Sequence, residues 1–197
     1  MIFSYPEPRH ERTHGPLGYS SYRSFRPWLR DEFIFRCVYC LKREMWGQVT
    51  CEFDLDHFEP QRLSPKKELD YFNLVYACRR CNAVKGGAQL EDPLILLTSE
   101  NVVVSPDGML VSEVASVKRL IRQVDLNSPR LLRWRTMWMR IVDLAVERDS
   151  VLASQLIGFP DELPDLAKLH PPDNSRPEGV EKSWYAKKQQ GRLPAYY

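Results

Sequence analysis

Four of the five cysteines in this 197-residue chain fall into two C-x2-C knuckles, Cys37-Val38-Tyr39-Cys40 and Cys78-Arg79-Arg80-Cys81. This spacing lets each pair offer two thiolates to one ion, so the pattern predicts a closed, structural four-cysteine zinc site (Cys37, Cys40, Cys78, Cys81) rather than a catalytic one. The consequence for folding is topological. A tetrathiolate would bring the two ends of a 37-residue stretch to a single point. That stretch is polar and could not bury enough apolar surface to hold strands and a helix together alone. Cys51 lies outside the pattern and reads as a small buried hydrophobe beside strand-like residues.

The local order around the knuckles is strand, loop, strand, helix. Thr50 to Leu55 has strand character and ends at Asp56-His57. The stretch from Glu59 to Asp70, with Pro60 and Pro65, reads as a loop. Leu74-Val75-Tyr76-Ala77 is a second short strand, and a helix begins near the second knuckle and stops at Gly86-Gly87, because glycine favours helix ends. Upstream, Arg26 to Phe33 reads as a short helix with Pro27 in its first turn. Downstream, Ser105-Pro106-Asp107-Gly108 is the turn of a hairpin, followed by a helix over 113–124. A second helix opens at Ser128-Pro129, with Leu131, Trp134, Trp138, Ile141, Val142 and Ala145 in one apolar stripe. That stripe reads as core packed on the knuckle module. The fold class expected is α+β, divided into an arm (1–24), a zinc-stabilised module (25–90), a hairpin and helical extension (91–157) and a Pro-rich tail (158–197) with little regular structure that either wraps the body or stays mobile.

Totals exclude little. The formal net charge is +2, which neither demands nor rules out a nucleic-acid partner. No apolar run approaches the roughly 20 residues of a membrane helix. The N-terminus lacks a charged start followed by an apolar stretch, so the cytoplasm is the default compartment. Lys118, Arg119, Arg122, Arg130, Arg133, Arg135, Arg140 and Arg148 outnumber the acids of the same region. They form either a phosphate-holding stripe or, the plainer reading, a solvated helix face.

Between and beside the knuckles lie Asp56-His57, Asn73 and Asn82. Singly these residues mean little. With strand and helix side by side in a zinc frame, Asp56 and Asn82 offer two oxygens to a hard cation. Magnesium, which keeps several waters and takes few protein groups, suits such a pair. A neutral imidazole at His57 is competent as a general base for water near pH 7.

The ordered motif C-x2-C, D-H-x2-P, N-L, C-x2-C-N-x2-K-G, over about residues 37–87, resembles the HNH endonuclease superfamily (ββα-metal nucleases) in the branch with a four-cysteine zinc. The resemblance implies a metal-dependent endonuclease that cuts nucleic acid, DNA first, to 5′-phosphate and 3′-hydroxyl ends. It implies His57 as the general base, Asp56 and Asn82 as ligands of the catalytic metal, and Asn73 as the brace that fixes the His57 ring. The last family position is often His. Asn82 there favours Mg2+ or Mn2+. Many relatives carry a Gly-rich loop after D-H-x2-P, whereas this chain has Gln61 to Lys67. Lys66 and Lys67 either touch backbone phosphates or stand as solvated loop charges. Arg79, Arg80 and Lys85 are near enough in sequence to hold phosphate, the alternative being helix-end charges in solvent.

Residues 124–131 with the Arg-rich helix resemble the extension of some bacterial HNH proteins, some of which work beside an ATPase in anti-phage defence. This implies a protein partner such as an ATPase, or a role in phage defence or a mobile element. A homodimer would supply the second active site that a duplex break needs. The competing reading is a zinc-stabilised module that binds nucleic acid or a partner without cutting.

Overall fold

The structure is a computed structural model that describes residues 2–47 and 52–197. Cys51 and the expected start of the first long strand lie outside the described residues. In chain order the strands are β1 (Pro16–Leu17), β2 (Phe53–His57), β3 (Leu74–Cys78), β4 (Val103–Val104), β5 (Leu110–Val111) and β6 (Asp173–Asn174). The helices are α1 (Arg26–Glu32), α2 (Arg79–Lys85), α3 (Pro93–Leu96), α4 (Ala115–Gln123), α5 (Pro129–Arg148), α6 (Ser150–Ile157) and α7 (Trp184–Gln189). The architecture is α+β. No helix among the described residues is long and apolar enough to cross a membrane.

The centre is the β2–β3 hairpin, antiparallel with Phe53 opposite Cys78 and His57 opposite Leu74. All five residues of β3 are buried, because α1 and α2 both pack on it. α1 contributes Trp28 and Leu29, fully enclosed, and has Pro27 in its first turn. Phe53 and Tyr76 stack across the hairpin with ring centroids 5.0 Å apart. α2 ends at Gly86, whose φ of 52° lies where a side chain is disfavoured.

The extension forms as the turn chemistry directs. β4 and β5 pair about Pro106-Asp107-Gly108, with Gly108 at φ 81°. α5 runs for 20 residues from Pro129. Its stripe turns inward through Trp134, Trp138, Val142 and Ala145, while Ile141 remains exposed. Trp138 stacks on Trp46 at 4.4 Å and Trp134 meets Phe3 edge-on, so these tryptophans are core. Ser128 does not cap α5 with its side chain; its hydroxyl instead accepts from the Arg80 guanidinium at 3.1 Å.

Both chain ends are packed against the module. Phe3 and Tyr5 of the arm are buried. The tail wraps the body, one of the two courses its sequence left open, with only short regular elements: β6 pairs with β1, and α7 donates the Trp184 backbone N–H to Asp31 at 2.9 Å. The clasp is polar and buried. His14 meets Asp31 at 2.8 Å, while Glu32 takes the Thr13 and His14 amides, His10 and the Tyr71 hydroxyl. Burial alone would raise the Glu32 pKa; the His10 hydrogen bond and the charge of Arg12 outweigh it and bring that carboxyl down to about 2.

Candidate active site and zinc cluster

The knuckles meet. The sulfurs of Cys37, Cys40, Cys78 and Cys81 all lie within 4.8 Å of one another and are buried. The first knuckle turns through Leu41 at φ 61°, with the Cys37 N–H bonded to the Lys42 carbonyl at 2.8 Å and the Leu41 N–H to the Cys37 carbonyl at 3.0 Å. The Val38 N–H donates to the Tyr76 carbonyl at 2.9 Å, which joins the knuckle to β3. The second knuckle straddles the strand-to-helix junction: Cys78 ends β3 and Cys81 sits in the first turn of α2.

The donor set fits zinc. A tetrahedron of Zn–S bonds of about 2.3 Å has edges of about 3.8 Å, and the Cys40 and Cys78 sulfurs are 3.7 Å apart. Burial pushes the Cys37 thiol well up, whereas the hydrogen bond from Cys37 pulls Cys78 strongly down. Zinc binds cysteine as the thiolate, so a dication held by the four sulfurs would release the thiol protons.

Asn73 is 2% exposed and its amide is fully used. Its oxygen accepts from the Glu59 N–H at 3.0 Å, and its nitrogen donates to the Glu59 carbonyl at 3.1 Å and the Lys67 carbonyl at 3.2 Å. One side chain thus pins both ends of the loop between β2 and β3. That loop presents the Glu68 carbonyl to His57 Nε2 at 2.9 Å. A carbonyl only accepts, so in the neutral ring Nε2 carries the hydrogen and Nδ1 keeps the lone pair. The Tyr22 ring stands edge-on to the imidazole at 5.0 Å.

Residues two apart on a strand share a face, so Asp54 and Asp56 both look toward α2, while His57, the last residue of β2, meets the loop through its ring. Two rungs cross from β2 to α2. Asn82 Nδ2 donates to Asp54 Oδ2 at 3.3 Å. One helical turn on, Lys85 Nζ donates to Asp56 Oδ1 at 2.8 Å and to the His57 carbonyl at 2.7 Å. The Tyr39 hydroxyl takes the other Asp56 oxygen at 2.7 Å; burial and that carboxylate push the Tyr39 phenol well up, so it stays a donor. Among the described residues no hydrogen bond joins Asp56 to Asn82, and each has a partner of its own. Tyr39 and Asp54 escaped the sequence reading. The D-x-D alternation signalled Asp54, whereas nothing local marks Tyr39.

The basic residues divide. Lys85 is buried and committed to Asp56 and His57, so it holds the site together and does not face a phosphate. Arg80 is likewise committed: it donates to the Val124 and Asp125 carbonyls, the Asp125 carboxylate and Ser128, clamping the α4–α5 turn onto α2. Lys67 pairs with Glu59, and Lys66 and Arg79 are exposed. A groove between α2 and the start of α5 is lined by Lys42, Arg79, Arg80 and Arg130 against Glu52 and Asp125, with Cys40 and Cys78 at its edge.

No curated protein and no solved structure matches this chain. Residues 37–87 match the family model described as HNH endonuclease. About a quarter of the chain therefore matches the HNH endonuclease family, over residues framed by a four-cysteine cluster suited to zinc.

Proposed function

We propose that the chain is a metal-dependent endonuclease hydrolysing nucleic-acid phosphodiesters, with DNA as the substrate and His57 as the general base. The observation that carries the reading is the Asn73 brace. A buried amide spends all three of its bonds on the loop whose Glu68 carbonyl sets the His57 tautomer. A histidine held with Nε2–H inward and Nδ1 basic is prepared to take a proton.

The oxygen donors available to a hard cation are Asp56, Asn82 and, on the same strand face, Asp54. They fit such an ion in kind, since the Asp56 carboxylate already receives a cationic group from Lys85. Magnesium or manganese held there by Asp56 and Asn82 would supply positive charge to offset the negative charge that builds up as the phosphodiester breaks. His57 Nδ1 removes a proton from water as the new P–O bond forms and the bond to the 3′ oxygen breaks. The ring becomes imidazolium, stabilised by its Nε2–H bond to Glu68. The departing 3′ oxygen takes its proton from solvent water, and the products are a 5′-phosphate and a 3′-hydroxyl. Asn73 keeps the ring in place, and the groove with Lys42, Arg79 and Arg130 offers cationic contacts to the backbone of the substrate.

A second reading, a zinc-framed nucleic-acid-binding module without cleavage, draws on one observation: both Asp56 oxygens already have partners inside the chain. Incubation of supercoiled plasmid with purified protein and magnesium, manganese or EDTA separates the two. Metal-dependent nicking whose product DNA ligase reseals without prior kinase treatment supports the nuclease. Retention of the plasmid in a gel shift with no nicking in either metal, on duplex or single-stranded substrate, supports the binding module.

A further inference from the structure

Lys85 is an unusual residue to find where it is. Its side chain is 1% exposed and that of Asp56 4%. Lysine is almost never fully buried unless paired. Here the ammonium has two oxygens at short range, Asp56 Oδ1 at 2.8 Å and the His57 carbonyl at 2.7 Å. The second is the backbone of the proposed base. The ion pair is also cross-braced, because the Tyr39 hydroxyl, from the zinc knuckle, holds the other Asp56 oxygen at 2.7 Å. Knuckle, strand and helix thus converge on one carboxylate, and among the described residues Lys85 is the cation paired with it.

A carboxylate buried without a counter-charge is costly, and breaking a buried pair by deleting one partner destabilises strongly. A site that must exist before its divalent ion arrives needs something in that ion's place. Resting on the reading of Asp56 as a cation ligand, we propose that Lys85 is a built-in counter-cation: its ammonium neutralises Asp56 in the metal-free protein, competes with the divalent ion, and thereby sets the metal affinity of the site. Lys85 acts as a positioning residue, since it touches Asp56 and the His57 backbone rather than the reacting atoms. A carboxylate has about four lone-pair sites. Tyr39 and Lys85 take one each, so oxygen capacity remains for the metal while the charge of Lys85 opposes it.

The sign and size of the effect follow from charge alone. Even at the dielectric of bulk water, a unit charge about 5 Å from a divalent ion alters its binding by about tenfold, and by more in a drier site. Neutralising Lys85 should therefore tighten manganese binding by tenfold or more, the reverse of what loss of a ligand does. It should also make stability depend on the metal, because among the described residues the buried Asp56 then has no other paired counter-charge.

The experiment is calorimetric titration of Mn2+ into zinc-loaded wild type, Lys85→Met, Lys85→Gln, Lys85→Arg and Asp56→Asn, with thermal unfolding of each with and without Mn2+. Lys85→Gln keeps an N–H donor for the His57 carbonyl and serves if Lys85→Met does not fold. The expected result is tighter binding and a larger Mn2+-induced rise in Tm for the neutral variants, wild-type behaviour for Lys85→Arg, and weakened binding for Asp56→Asn. Unchanged or weaker binding in both neutral variants, with Asp56→Asn impaired, overturns the counter-cation while leaving Asp56 as ligand. Wild-type affinity in Asp56→Asn overturns the ligand assignment and the proposal with it.

Discussion

Replacing Asn73 by alanine tests the link between loop and base. The side chain makes three hydrogen bonds, to the Glu59 N–H, the Glu59 carbonyl and the Lys67 carbonyl. At about 1 kcal/mol net for each, with a range of roughly 0.5–1.5, the loss amounts to about 3 kcal/mol. Burial at 2% exposure leaves little room for water to take over those bonds. Asn73→Asp is the sharper companion. It keeps the acceptor for the Glu59 N–H but faces two carbonyl oxygens with a carboxylate, so it should cost at least as much. Urea unfolding of the zinc-loaded proteins gives the stability through a shift in midpoint at constant slope. Bound zinc should be unchanged, because the cysteines are on other elements, while cleavage should fall as the Glu68 carbonyl loses its hold on His57. A stability loss below about 0.5 kcal/mol with full cleavage in Asn73→Ala would refute the brace.

Two further outcomes are expected. Cys78→Ser removes one corner of the tetrathiolate and should strip zinc and cooperative unfolding together; metal analysis and circular dichroism would check it, and full zinc in a stably folded variant would contradict the frame. Glu32 is held down from 4.5 to about 2 by partners in the arm. A carboxyl with a depressed folded pKa stabilises fully above its unfolded pKa and loses that contribution as pH falls toward the folded one, so about 3 kcal/mol should disappear between about pH 4.5 and 2. Burial raises neighbouring Asp31, which acts with the opposite sign, so the comparison is wild type against Glu32→Gln. The variant should lose the acid-side slope that Glu32 provides.

What the sequence made legible is what local chemistry and zinc spacing dictate. The β2–β3 hairpin, the helix through the second knuckle with its stop at Gly86, the Pro106-Asp107-Gly108 turn and the α5 start at Pro129 all follow from residues adjacent in the chain. What stayed hidden depends on distant partners. Arg135 is 1% exposed, its guanidinium donating to the Gly108 and Leu126 carbonyls, yet in sequence it is one more arginine of a charged helix. Arg80 and Lys85 read as phosphate contacts or as helix-end charges for the same reason. Periodicity reports which face a residue takes, not whether a carbonyl or carboxylate waits there. The course of the tail stayed open in the sequence because its order comes from contact with the arm and α1, while its prolines suppress the local signals that would announce it. At the site, the alternation of Asp54 and Asp56 puts both carboxylates on one face, but pairing Asn82 with Asp54 and Lys85 with Asp56 required the helix register.

The central claim is that His57 is the base of a metal-dependent nuclease, and it is tested most directly by comparing wild type with His57→Ala on supercoiled plasmid in Mg2+ or Mn2+, at matched zinc content and DNA binding. Metal-dependent cleavage lost by orders of magnitude in the variant, with fold, zinc and binding retained, is the expected result. Cleavage by His57→Ala at the wild-type rate would contradict it.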